Sequence, residues 1–143
     1  MHSKLIHDTA GAQTFALILE TGDEVIACLE GFANEKGLRA ADFKAIGAFS
    51  RTTLAFFDWE EKSYLPIEVN EQVEVASLSG DIAIGSVGKP AVHVHAVLGK
   101  RDGAAVAGHL LSATVRPTLE VILTESPRHL RKRFDPVTID PEL

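Results

Sequence analysis

Three histidines supply the clearest chemistry in this 143-residue chain: His93 and His95 within Val92-His-Val-His-Ala96, and His109 directly after Gly108. On a strand, residues two apart project from the same face about 7 Å apart, close enough for both imidazoles to converge on one ion. Val92, Val94, Ala96 and Leu98 take the other face. A turn at Lys100-Arg-Asp-Gly103 is expected to reverse the chain and return His109 toward the pair. Gly108 permits a close backbone approach or a positive-φ bend there. Three neutral imidazoles plus a water make an open, catalytic-type zinc site, whereas a structural zinc is usually closed by four ligands with thiolates among them. The chain has one cysteine. The expected metal ligands are therefore His93, His95 and His109, with zinc the expected ion and other divalent metals its competitors. The plainer alternative is two polar residues on the wet face of a strand.

Two charged residues are the next candidates. Glu120 lies amid apolar neighbours in Thr118-Leu-Glu-Val-Ile-Leu123 and is the candidate proton carrier or histidine-orienting carboxylate, unless it only faces solvent. Arg51, after Gly47-Ala-Phe-Ser50, could hold an anion or a neighbouring acidic chain. A cupin barrel also places His-x-His on a strand, but its glutamate ligand would fall at Gly99 or Lys100, which argues against it. Nucleophile elbows, phosphate loops and dinucleotide fingerprints are absent from the sequence. His2, His7 and His129 lie in terminal segments and add nothing.

The elements that must position these residues follow from periodicity. Residues 15–20 form a short apolar run that reads as a buried strand. Thr21 and Glu24 have capping-box spacing, and Val25, Leu29 and Phe32 then form an apolar stripe until Gly37, predicting a helix over about 22–36. From Ala41 the period becomes two. Strands are predicted at 45–49, 53–58, 64–69, 73–78, 82–87, 92–98 and 115–124, separated by Gly, Asp, Asn, Ser or Pro. Such close spacing leaves no room for crossover helices. The expected class is α+β, a mostly antiparallel, strongly curved β-sheet with one main helix packed on it.

Composition bounds the rest. The length predicts one domain over 1–143, with a core of about 15–125 and a basic segment at 126–143. The 20 acidic against 14 basic side chains give a charge of −6, which repels DNA phosphates unless the cations gather on one face. Arg128, Arg131, Lys132 and Arg133 are the one such gathering, read first as a solvated stretch or a tie to a neighbouring subunit. Cys28, in an apolar pattern, is expected to fill core space. No signal-type or membrane-spanning apolar stretch occurs, so a cytoplasmic protein with no membrane partner is expected.

At these residues the sequence resembles the PPC domain, a plant and prokaryote domain that also follows AT-hooks in plant nuclear proteins. The resemblance runs from Phe15 to about Glu125 through Gly22-Asp-Glu-Val-Ile26, Ala45-Ile-Gly-Ala-Phe49, Val73-Glu-Val-Ala-Ser-Leu-Ser-Gly80, His93-Val-His95, Asp102-Gly103, Gly108-His-Leu110 and Pro117-Thr-Leu-Glu-Val-Ile-Leu-Thr-Glu125. Where the family usually has Gly-Gly-His-Leu, this chain has Ala107-Gly-His-Leu110. The resemblance implies a compact α+β fold, a homotrimer, and in bacterial and archaeal members a metal, commonly zinc, on three histidines matching His93, His95 and His109. It also implies similarity in fold and metal to acetolactate decarboxylase. The function expected on this basis is a small cytosolic homotrimer that binds or transforms a small, oxygen-rich ligand, with no reaction specified and enzyme status open. The alternatives are a DNA-binding regulator, opposed by the charge and the lack of an Arg-Gly-Arg core, and a metal-free interaction module.

Overall fold

The structure, a computed structural model, describes residues 1–9 and 11–126. The basic cluster at Arg128, Arg131, Lys132 and Arg133, with His129, lies outside the described residues. In chain order the elements are β1 (His2–Thr9), β2 (Ala12–Glu20), α1 (Val25–Lys36), β3 (Ala40–Asp58), β4 (Ser63–Val69), β5 (Val73–Ile84), β6 (Pro90–Gly99) and β7 (Ala105–Glu125). Every strand pairing is antiparallel, in the order β1-β2-β7-β6-β5-β3-β4. A further β3–β7 pairing curls β3, β5, β6 and β7 into a closed ring. The class is the α+β arrangement expected, curved to the point of closure.

Two strands are far longer than the sequence suggests. The runs 45–49 and 53–58 belong to one 19-residue strand, β3, and the last strand begins at Ala105 and runs for 21 residues, so His109 sits on a strand. The Gly and Ser residues that look like punctuation mark bulges instead: the β3 registers shift between Ala45 and Gly47, and between Phe49 and Arg51. The runs 73–78 and 82–87 likewise merge into β5, which ends at Ile84. Gly80 keeps that strand continuous, because a Cβ there would collide with the His93 carbonyl oxygen and come 2.7 Å from the Phe43 ring. The edge strand β1, exposed along its whole length, carries too polar a sequence to announce itself.

The helix packs its expected stripe, Val25, Leu29, Phe32 and Ala33, on the sheet, with Phe32 edge-on to Phe15 at 5.1 Å. Its N-cap differs from expectation. Glu24, not Thr21, caps the helix, accepting from the Ala27 amide at 2.7 Å, while its other oxygen accepts from the Ala113 amide at 3.1 Å. The Thr21 hydroxyl donates to the Pro117 carbonyl instead, because the turn after β2 is pulled onto β7. Gly37 closes the helix in the left-handed conformation (φ 66°), its amide donating to Ala33 and Asn34. Cys28 packs part-buried against the core as expected, and burial pushes its thiol pKa up. Among the described residues, no helix is long and apolar enough to cross a membrane.

Candidate metal centre

Pairing register builds the site. His95 on β6 lies directly opposite His109 on β7, which lies opposite Ala55 on β3, which in turn lies opposite Pro66 on β4. One rung across four strands thus carries two of the three imidazoles, and His93, two residues back on β6, adds the third on the same face. The alternating Val94, Ala96 and Leu98 are buried in the core. The expected turn at Lys100–Gly103 is present, closed by Gly103 donating to the Lys100 carbonyl at 2.9 Å. Gly108 serves as a close approach and not as a positive-φ bend: a Cβ there would lie 2.7 Å from the Ala55 carbonyl oxygen.

The ring centroids stand 5.1 Å (His93–His95), 5.2 Å (His93–His109) and 5.5 Å (His95–His109) apart. One ligand atom from each ring lies within 4.8 Å of the others. Tetrahedral bonds of about 2.1 Å set imidazole nitrogens about 3.4 Å apart. No pair must therefore close by more than about 1.4 Å, a distance that side-chain torsions cover. The donor set fits a divalent ion that favours nitrogen. Asp81, opposite His93 on β5, brings Oδ2 to 4.0 Å from Nδ1 of His93, beyond hydrogen-bond range.

Around the imidazoles lies a cleft of about 380 Å³ lined by Ala55, Phe56, Phe57, Tyr64, Gly108 and the histidines. Tyr64 stacks on His109 with centroids 4.7 Å apart and planes 25° apart, and Phe57 meets Tyr64 edge-on at 5.3 Å. Sequence reasoning missed these aromatics. The Phe56-Phe57 doublet at the end of one run and Tyr64 at the start of the next, joined by a short turn, were the available signal.

Glu120 does not join the histidines. It lies eleven residues further along β7, opposite Ile46 on β3 and Ile18 on β2, in a separate cleft with Lys44, Ala76 and Ile122. At about 3.3 Å per residue that is roughly 35 Å of strand contour, and no residue lining its cleft lines the histidine cleft, so within one chain it neither relays a proton to nor orients an imidazole. Strand alternation marks its face but not its place along so long a strand. Arg51 sits within β3 opposite Thr114, exposed, and not at a strand junction.

None of the curated proteins matches this chain. Among solved structures, a metal-containing protein from Archaeoglobus fulgidus is 34% identical, with a TM-score of 0.82 over 96% of this chain and 94% of that one. A candidate DNA-binding protein from Ralstonia eutropha is 31% identical, with a TM-score of 0.82 over 88% of this chain and 87% of that one. The alpha-acetolactate decarboxylase of Bacillus subtilis shares the fold alone, at 11% identity and a TM-score of 0.56 over 81% of this chain and 52% of that one. The family model of the Plants and Prokaryotes Conserved (PCC) domain matches residues 7–127, nearly the whole of the described chain. The chain belongs to the PCC domain family, the plant and prokaryote family its motifs resemble.

Proposed function

We propose that this protein is a cytoplasmic homotrimer whose His93, His95 and His109 hold a divalent metal, zinc, on the floor of the aromatic cleft, where it binds or transforms a small ligand. The observation that carries this reading is the approach of three imidazole nitrogens to within 4.8 Å from two adjacent strands. The 34% identical metal-containing relative supports it. Zinc on three neutral imidazoles would supply a Lewis-acid position and a bound water of lowered pKa.

The chain's own residues do the rest. The β6–β7 pairing fixes His95 against His109, and the Tyr64 ring restricts rotation of the His109 imidazole. Phe57 and Tyr64 keep water from one side of the cleft, so a ligand is oriented by which of its ends is apolar.

Elemental analysis of untagged protein is the test. Wild type and Glu120→Gln are expected to carry about one metal per chain, and His93→Ala/His95→Ala none; equal metal in wild type and the double variant would end the reading. The Ralstonia relative favours duplex DNA as a second reading. Binding that weakens steeply with salt and is lost on neutralising Arg128, Arg131, Lys132 and Arg133 would establish it against the charge of −6.

A further inference from the structure

We propose that the ligand of the three-histidine site is a small monocarboxylate with an aromatic body, its carboxylate directed at the metal position and its ring packed against Phe57 and Tyr64. This inference rests on the metal reading above and deepens it. The first argument is charge. All three donors are neutral imidazoles, so a divalent ion held there keeps its full positive charge and attracts an anionic oxygen. Among the described residues no Lys or Arg lines the cleft to neutralise a second or third negative charge. A phosphate or a polycarboxylate would leave that excess against apolar walls, where an unpaired charge is costly.

The second argument is shape. Trp59, Phe57, Tyr64 and His109 form a continuous row of rings, with successive centroids 6.5, 5.3 and 4.7 Å apart, leading from the β3–β4 turn to the imidazoles. Offset and edge-on contacts are the geometry by which a further ring adds to such a row. Phe56 and Trp59 are 62% and 53% exposed, an unusual outlay of aromatic surface beside a cleft. At about 380 Å³ the cleft is at the small end of ligand pockets, room for one ring and a short acid. Ala55 supplies that room, since any larger side chain between His109 and Pro66 would fill the floor.

The third argument is the rim. The β3–β4 connection carries Asp58, Glu60 and Glu61 against one cation, Lys62, whose ammonium stands 3.0 Å over the Trp59 ring, and Asp58 is held in place by accepting from the amides of the two glutamates. Their field disfavours multiply charged anions at the mouth while admitting a single charge drawn by the metal.

The experiment is titration of the zinc-loaded full chain with phenylacetate, acetate, citrate and inorganic phosphate. It is read by calorimetry and by the emission of Trp59, the only tryptophan in the sequence, with zinc content measured on every sample. Phenylacetate is expected to bind at least about tenfold tighter than acetate, and citrate and phosphate no tighter than acetate. Phe57→Leu should erase most of the phenylacetate advantage and leave acetate affinity and zinc content unchanged, and Tyr64→Leu, which also frees the His109 ring, should weaken phenylacetate more than acetate at matched zinc content. Equal affinity for phenylacetate and acetate, tighter binding of citrate or phosphate, or equal loss of both monocarboxylates in the variants overturns the ligand class while the metal reading stands. A chain that takes up no zinc overturns both.

Discussion

The two long strands β3 and β7 carry a cleft at each end, nearly equal in size and opposite in chemistry. At one end about 380 Å³ is bounded by three imidazoles and three aromatic rings. At the other about 400 Å³ is bounded by Lys44, Ile46, Leu78, Glu120 and Ile122. Both are outer-face concavities of one curved sheet, so concavity comes with the fold and cannot itself mark function. What separates them is convergence. The histidine end is a rung on which adjacent strands present like donors to one point, whereas the far end offers three unlike groups, a lysine, a serine hydroxyl and a carboxylate.

Glycine substitutions should break the two ends unequally and give the largest effects. Gly47 lies where β3 crosses β7 at the far end, and a Cβ there would collide with the Thr118 carbonyl oxygen and stand 2.8 Å from Leu119 Cα. Those are backbone atoms that cannot rotate away. Gly47→Ala is expected to cost about 3 kcal/mol by overpacking, with metal content per folded chain unchanged. Gly108→Ala meets the Ala55 carbonyl oxygen at 2.7 Å, a milder clash expected to cost about 2 kcal/mol. Because it pushes His109 off the rung, it should also weaken zinc binding by at least about tenfold. Denaturant titration alongside zinc affinity checks both. Equal metal loss in the two variants would mean the ends are not independent.

The same strands explain what was legible. The His93/His95 face, the return of His109 and the close approach at Gly108 are local matters of alternation and turn chemistry, and a sequence carries them. The site of Glu120 is not local. Alternation gives its face correctly, but its distance from His109 depends on β7 running unbroken past Val115 and Pro117, and on β3 crossing it through three register shifts. Bulges look like chain breaks in a sequence, so the predicted strands are shorter than β3 and β7, and no local pattern measures how far Glu120 stands from the histidines. The aromatic wall escaped for a related reason: Phe57 and Tyr64 meet across a hairpin whose register no single run displays.

Between the two clefts the turn before α1 is stitched to β7, and this middle region should answer to stability alone. Gly22 donates to the Val115 carbonyl and Val115 to the Asp23 carbonyl, both at 3.0 Å, beside the two hydrogen bonds to Glu24. Glu24→Ala removes a helix cap and leaves the Ala113 amide without its carboxylate. The expected loss is about 2 kcal/mol, seen as a fall of several degrees in thermal midpoint with zinc content intact. Glu24→Gln keeps one of the two acceptors and turns an NH2 toward the other backbone amide, so it should lose at least about half of that. A change in metal content in either variant would show that the helix stitch and the histidine rung are coupled through β7.

The smallest expected effect is one of pH, at the same turn. The Glu20 backbone amide donates to the Asp23 carboxylate at 2.9 Å, and the Met1 ammonium stands 3.1 Å away; together, in that order, they hold the Asp23 pKa below its ordinary value of 3.8. A carboxylate with a lowered folded-state pKa adds stability that is complete above its unfolded value and is lost as pH falls through the folded one. Asp23→Asn is therefore expected to cost a few tenths of a kcal/mol at neutral pH, the pair being partly solvated, and nothing in strong acid. The difference between the two proteins should close below pH 3.8. Asp23 touches no residue of the histidine cleft, so zinc content per folded chain should be the same in the two proteins at every pH. Unfolding midpoints and zinc content of wild type and Asp23→Asn across the acid range check both expectations. A zinc profile that moves with the Asp23 substitution would defeat the independence of the stitch from the metal end.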